Sequence, residues 1–504
     1  MNLATQNKNA TISSAPAMWI VLFCILALAS VWHAHRLLIN HDVGCYIAFA
    51  ELIWQGKEMY RDMIEINSPL IVYISFIPVA ISQWTGFKST DLFFLFISLL
   101  GFFSTWLSYG TLKQQPIFRD PKSLPILLLT LCCSFFIFPA VLNEFGQREH
   151  IFMILTFPYV VMLMGYMQGL PAARNIKILV GILAGIGFSI KPHFIVIFAF
   201  AELAWLLFHR SFSGMFRIES LLIGAIIVFY HLWCALYFPE YFELLPLFMD
   251  AYTGYKAPLH FIAIKSIWYL SPLYFFLVFA VKKQVNIRII TLLTLLIVAS
   301  SLLYIVPLTD YYYHLIPAHI FVFWLGIITL LTAKQYKYCI PLLLIWVLPG
   351  IAMTNLHKRE VIIPFAEKVE SIAVGEEVAV LSSSVSPTFP MINQSGSFWG
   401  LSLPYMIHLP QAYMNARGTH AEPNYRTMDE MDETERFFTE RTISDLESLP
   451  KLIIFDKRPE TQAFLEMKFD MQTYYMKQPR FQKLWKHYDY VDTVSDFAIY
   501  QRKD

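Results

Sequence analysis

Charge is what this sequence has least of. Only 15% of its 504 residues are Asp, Glu, Lys or Arg, while 57% are hydrophobic and 16% aromatic. A soluble domain carries about 25% charged residues. The net charge of +1 offers nucleic acid no electrostatic footing. There is no P-loop, no glycine fingerprint for a dinucleotide, no G-x-S-x-G elbow and no H-E-x-x-H zinc motif, which removes the motif-bearing nucleotide, serine-hydrolase and zinc-protease classes. The six cysteines form no CxxC pair, and all but Cys45 lie in or beside apolar runs, so no disulfide framework is expected. No internal repeat is visible.

The charges that exist are unevenly placed. Residues 355–504 hold 39 of the 75, and the first 354 residues share the rest. This divides the chain into a membrane-embedded body, 1–354, and a soluble tail of ordinary composition, 355–504. A bilayer-crossing helix needs about 20 apolar residues. Candidate spans are 17–39, 91–112, 124–141, 151–169, 178–190, 194–208, 219–237, 260–281, 289–307, 315–332 and 338–354. The first lacks a small-residue cleavage site and reads as a retained anchor. The fifth and sixth meet at Lys191-Pro192-His193, as one broken helix or a tight hairpin. Segment 69–84 starts at Pro69 and is interrupted by Pro78, which suggests an interfacial or re-entrant helix.

With the N-terminus cytoplasmic, the connectors rich in Lys and Arg (113–122, 174–177, 210–217, 282–288, 334–337) all fall inside, as the positive-inside rule requires. The tail then lies outside, and so do the unusual polar clusters. These are the loop 40–90, Asn143–His150, Lys191-Pro192-His193, Pro239–His260 and Asp310–His314. Charged groups at membrane depth are costly and face cavities or partners. Several on one face point to a wet active site at the outer interface. In the tail, Glu377–Leu381, Leu452–Phe455 and Phe497–Tyr500 read as short strands and 428–447 as a helix, giving a small α/β domain.

The first loop carries the most specific pattern: Asp42, then Tyr46–Trp54, Gly56, Tyr60-Arg61-Asp62 and Ser68-Pro69-Leu70. It resembles the GT-C superfamily of membrane glycosyltransferases, in particular the bacterial family 39 branch related to protein mannosyltransferases and aminoarabinose transferases. The second acidic loop, Asn143–His150, and Tyr313-His314-Leu315-Ile316-Pro317 match further parts of that pattern. Where many relatives have Lys-Pro-Pro, this chain has Asn67-Ser68-Pro69, so the cation expected at the donor phosphate must come from elsewhere. Asp42 stands alone where an acidic pair is often found.

The resemblance implies a polytopic α-helical GT-C-like body of about 11 spans with an extracytoplasmic α/β domain. It implies inverting transfer of a sugar from a polyprenyl-phosphate donor to a lipid-linked glycan, lipopolysaccharide or protein on the outer face of the bacterial inner membrane. Such a transfer needs a carboxylate to take the acceptor proton and positive charge for the leaving phosphate. Asp42 is the candidate base, its pKa expected to be raised by partial desolvation. Arg61, Arg148, Lys191 and His193 are candidates for the donor phosphate. Glu65, Glu144, Glu149 and His314 are candidates for acceptor or metal, with a divalent metal left open. Each has a plainer reading: Asp42 as a helix-end marker, Arg61 as a solvated surface charge, Lys191 as a snorkelling side chain. Tyr311–Tyr313 read more readily as an interfacial aromatic belt than as a sugar platform. A transporter or flippase, or a glycan polymerase or ligase, is the competing class. Asp42 and Glu144 lining one outward cavity would favour the transferase.

Overall fold

The computed structural model describes residues 38–504 except 354–356, 420, 459–463, 465, 466 and 504, together with residues 19, 21, 22, 24 and 25 of the first apolar run. The expected span 17–39 therefore lies mostly outside the described residues. After Asn40 come α1 (His41–Trp54), α2 (Leu70–Thr85), α3 (Ser89–Leu112), α4 (Ser123–Ala140), α5 (Arg148–Met167), α6 (Arg174–Ser189) and α7 (Ile195–His209). Then follow α8 (Ile218–Tyr237), α9 (Pro239–Tyr252), α10 (Leu259–Lys282), α11 (Ile287–Ile305), α12 (Ile316–Thr332) and α13 (Cys339–Met353). Among the described residues, eight helical stretches are long and apolar enough to cross a bilayer. The expected spans 178–190 and 338–354 appear as α6 and α13, with 16 and 15 residues. The chain is a multi-pass membrane protein.

Because the spanning helices are predominantly apolar, burial separates the core from the lipid face. Helix α5 is buried over 94% of its apolar stretch and forms the centre, while α10, at 13%, and α8, at 22%, face outward. Helix α6 packs between α5 and α8. A Cβ on Gly181 or Gly185 would sit 3.0 and 2.8 Å from α8, and one on Gly187 would sit 2.7 Å from Thr156 of α5, so small residues set this close approach. Lys191 and a 3-10 turn, Pro192–Phe194, separate α6 from α7, which packs on α11 instead. The junction is a break between two helices with different neighbours.

Helix α2 does not carry the chain across the bundle. Ser68 Oγ donates to the Ile190 carbonyl at 3.3 Å, placing its start beside the α6–α7 break. At its end Ser82 meets Ser89 at 3.1 Å, where α3 begins. The start of α3 lies against the 143–147 loop, with Phe94 stacked on Phe145 at 5.6 Å. That loop in turn contacts Asp42. Both ends of α2 are thus at one end of the bundle. The basic connectors gather at the other: Tyr336 donates to Asp120 at 2.5 Å, Gln168 to Gln115 at 2.7 Å, and Arg288 sits over Phe208.

The tail opens with α14 (His357–Ala373) and forms a five-stranded sheet. Its strands are β1 (Glu377–Leu381), β2 (Phe398–Trp399), β3 (Leu452–Asp456), β4 (Tyr488–Val494) and β5 (Phe497–Arg502), in the order β2-β1-β3-β5-β4. Strands β2, β1 and β3 are parallel, with Val378 opposite Leu452 and Leu381 opposite Phe455. Strand β5 runs antiparallel to β3, with Ile454 opposite Ile499. The near-continuous apolar runs of β1 and β3 follow from burial on both faces. Helix α15 (Thr388–Ser395) links β1 to β2, and α16 (Glu433–Leu446) precedes β3. The tail sits directly on the body. Asn393 of α15 donates to the Gly44 carbonyl at 3.0 Å, a Cβ on Gly44 would lie 2.5 Å from Asn393 Oδ1, and Ile64 N–H donates to Ser402 at 2.7 Å.

Candidate functional site

The polar clusters converge on a cavity of about 630 Å³ between the body and the tail. Its floor begins at the N-terminus of α1. Asn40 caps this helix: its Oδ1 accepts the Asp42 N–H at 2.9 Å, while its Nδ2 donates to Glu144 Oε2 at 2.9 Å and to the Asn143 carbonyl at 3.1 Å. One residue thereby pins the first loop to the second. Asp42 Oδ2 accepts from Gln147 Nε2 at 2.7 Å and from Arg148 Nη2 at 3.3 Å, and Oδ1 lies 3.5 Å from His41. Gln147 and Arg148 open α5, and their loop is held by His150. The Gly146 N–H donates to His150 Nδ1 at 2.9 Å, so the ring's Nε2 carries the proton and donates to the Phe135 carbonyl at 2.8 Å. That carbonyl lies in a π-helical turn of α4, Cys133–Ile137, a geometry that recurs at functional sites. Gly146 itself needs φ +82, and a Cβ there would meet Phe93 at 2.4 Å.

The expected upward shift of Asp42 is reversed. Burial does push its carboxyl up, but His41, Arg148, the Gln147 hydrogen bond and Lys191 together hold it below the usual aspartate range. Glu65 behaves in the opposite way. It is 3% exposed and lines the same cavity. Its Oε1 accepts from Asn67 N at 3.1 Å and Asn67 Nδ2 at 2.5 Å. Burial raises its carboxyl above the usual glutamate range, and Arg148 and Asn67 offset only part of that. Two carboxylates with opposite proton affinities therefore share one cavity, with the buried Arg148 acting on both.

Beneath Arg148 lies a second ionic layer. Lys191 Nζ donates to Glu149 Oε1 at 2.5 Å, with both side chains buried, and His314 Nε2 stands 3.8 Å from the same oxygen. Burial and the Arg148 charge hold the Lys191 ammonium below the ordinary lysine range. The Tyr313 ring separates the layers, 6.0 Å from Arg148 and 5.3 Å from Lys191. Asp42, Glu65, Glu144 and Arg148 line the cavity directly, while Glu149, Lys191 and His314 form this deeper layer. Arg61 and His193 are not brought in. Arg61 is exposed and paired with Glu58 and Glu240, each at 2.7 Å, because Tyr60 takes φ +67 and turns inward while its neighbour turns out. His193 is exposed beside the break, its ring 6.5 Å from that of His314.

No protein-family model matches the chain, and no curated protein matches it in sequence. Solved structures do match. ArnT from Cupriavidus metallidurans bound to undecaprenyl phosphate overlays with a TM-score of 0.58 at 12% identity, covering 97% of this chain and 98% of that one. The same protein in the apo state gives a TM-score of 0.55 at 12% identity, again over 97% and 98%. The chain has the ArnT fold. The overlay extends over the tail as well as the body, in keeping with the expected polytopic helical body and C-terminal α/β domain.

Within this ArnT fold the cavity holds groups that the sequence did not single out. Tyr46 and Tyr405 share its wall, the Tyr46 ring lying 5.4 Å from the guanidinium of the expected Arg148. Tyr311 and Tyr313, expected as part of an interfacial belt, stack at 5.6 Å and line the cavity. Ser383, Ser384, Arg417 and Arg458 enter from the tail. Local pattern could not find these, because they reach the site only through the docking of one sequence half on the other. Among the described residues no three His, Cys, Asp or Glu side chains converge closely enough to hold a metal ion.

Proposed function

We propose that this protein is a membrane glycosyltransferase that moves a sugar from a polyprenyl-phosphate donor to a cell-envelope acceptor. The observation that carries this reading is the pairing of Asp42 and Glu65, pushed apart in proton affinity around one buried arginine in a single cavity. Paired carboxylates with divergent pKa values mark a division of acid–base labour. The ArnT of the comparison was solved with undecaprenyl phosphate, which supports a lipid-phosphate donor. Asp42 and Glu144 lining the same cavity favours transfer over transport.

In this reading Arg148 receives the donor phosphate and offsets the negative charge that grows as the C1–O bond to phosphate breaks. Lys191, one layer below, adds to that field. Asp42 stays ionised and stabilises the positive charge developing at the anomeric carbon. The acceptor hydroxyl attacks C1 from the opposite face with inversion, and its proton passes to Glu65. A buried carboxylate of raised pKa is the better base of the two. The phosphate leaves as an anion and needs no general acid. The cavity then lies at the outer face of the bacterial inner membrane, as the placement of the basic connectors implies.

The test is a transfer assay on purified full-length protein with radiolabelled polyprenyl-phosphate sugars. Wild type should release sugar to an acceptor from envelope extract, and Asp42→Asn should bind donor without turnover. Absence of donor binding by the wild type would refute the reading.

A further inference from the structure

The end of the bundle that carries the basic connectors gathers charge, and only part of it is answered. Arg217 lies between two carboxylates, 2.7 Å from Glu202 and 2.9 Å from Glu219. Arg119 and Lys122 flank Asp120, which also accepts the Tyr336 hydroxyl. Arg210, Lys282, Lys283 and Arg288 are different. No Asp or Glu occurs from 251 to 309, the whole length of α10 and α11, or from 203 to 218, where α7 ends. All four residues are exposed, and among the described residues none of the four sits in an ion pair.

The fold draws these cations together. Helix α7 packs on α11, and the Arg288 guanidinium lies 5.8 Å from the ring of Phe208, two residues before Arg210. Arg210 caps α7 with φ +47. Helix α10 also packs on α11 and ends at Lys282. The Val285 N–H donates back to the Ala280 carbonyl at 3.0 Å, which turns the chain straight into α11. Arg288 stands in the first turn of α11, where the helix dipole opposes a cation. Helix capping therefore does not account for it. Like charges gathered without counter-charge call for an anion.

An apolar face runs away from the cations. Ile287, Val298 and Leu302 of α11 are exposed, and their spacing puts them on one side of the helix. Leu203 and Leu207 of α7 and Val281 of α10 are exposed on the two helices packed beside it. An apolar strip that ends in unpaired cations at the bilayer boundary matches the two parts of an anionic lipid, its acyl chains and its phosphate.

We propose that this corner binds an anionic phospholipid, its phosphate held by Arg210 and Arg288 with Lys282 and Lys283 alongside, and its chains laid along the Ile287–Leu302 face of α11. The proposal is independent of the reading of the outer cavity.

Native mass spectrometry of the full chain in detergent reads the lipids it retains, with dioleoyl phosphatidylglycerol and dioleoyl phosphatidylcholine as probes. Wild type should hold the anionic probe at least tenfold more tightly. The double variant Arg210→Gln with Arg288→Gln should lose that preference, and Lys282→Gln with Lys283→Gln should reduce it severalfold. All four residues are exposed, so the lipid-free thermal midpoint should hold. The control is Arg174→Gln with Lys177→Gln, which removes the same charge from the same end of the bundle but from α6, and it should keep the preference. Equal retention of both probes by wild type overturns the proposal, as does a preference that survives the arginine double variant. Equal loss in the control overturns it too, since the charge would then act as a diffuse field. Tighter retention of undecaprenyl phosphate than of phosphatidylglycerol, abolished by the same arginine double variant, would give the corner to a polyprenyl lipid and overturn the phospholipid assignment.

Discussion

Replacing Glu65 by Gln separates the two carboxylates most cleanly. A glutamine carbonyl can accept both Asn67 bonds, at 3.1 and 2.5 Å, so the loop that holds residue 65 keeps its shape. What is lost is the capacity to take a proton. A positioned general base contributes roughly 10²–10⁴-fold, or about 3–5 kcal/mol of barrier. We expect kcat to fall by that factor in single-turnover transfer, with donor KM unchanged. The pH profile gives the second reading. The base must be ionised, so the rate declines as pH falls through the Glu65 pKa, which burial places above the usual glutamate range. That acid limb should vanish in Glu65→Gln. A limb set by Asp42 would instead lie below the usual aspartate range, where, against the upward push of burial, His41, Arg148 and Gln147 hold its carboxyl. Wild-type kcat in Glu65→Gln, or an acid limb that survives it, would refute the assignment.

Arg148→Gln should raise donor KM strongly, whereas Arg61→Gln should leave it unchanged, because Arg61 is exposed and engaged with Glu58 and Glu240; donor titration in the transfer assay distinguishes them. Lys191→Met strands the buried Glu149 charge and should cost about 3–5 kcal/mol, while the double replacement Lys191→Met with Glu149→Leu should be near neutral. Thermal unfolding of the four proteins of this cycle checks it, and equal loss in single and double variants would count against the pair. Gly44→Ala forces a methyl to within 2.5 Å of Asn393 Oδ1 and should cost about 1–3 kcal/mol, loosening the tail on the body. Faster proteolytic release of the tail is the expected sign, and unchanged protease resistance the contrary one.

Much of the architecture was legible in one dimension because it is governed by local pattern. Apolar runs located most of the helices, and the Pro69 and Pro78 interruptions marked α2, whose two ends lie at one end of the bundle. The runs EVAVL and LIIF became adjacent parallel strands, since buried parallel strands are apolar throughout. Strands β2 and β4 escaped notice, one being two residues long and the other an edge strand broken by Asp489 and Asp492. The clustering of acidic loops at one end of the bundle was also a local property, set by where hydrophobic segments stop.

Proton affinities and partners were not local. Asp42 looked like a desolvated carboxylate with a raised pKa, and it is held low because α5 brings Gln147 and Arg148 to it from more than a hundred residues away. Glu65 sits only 23 residues further along the chain, yet burial in the same cavity drives it the other way. Arg61 and Arg148 were equal candidates by type, and only the turn at Tyr60 and the start of α5 decide that one meets solvent and the other the cavity. Ser383, Ser384 and Arg458 reach the cavity because they follow the carboxyl ends of β1 and β3, which face the membrane body. Sequence determines which segments are apolar and which side chains are available. Tertiary packing decides which charges share a low-dielectric space, and that sharing sets their chemistry.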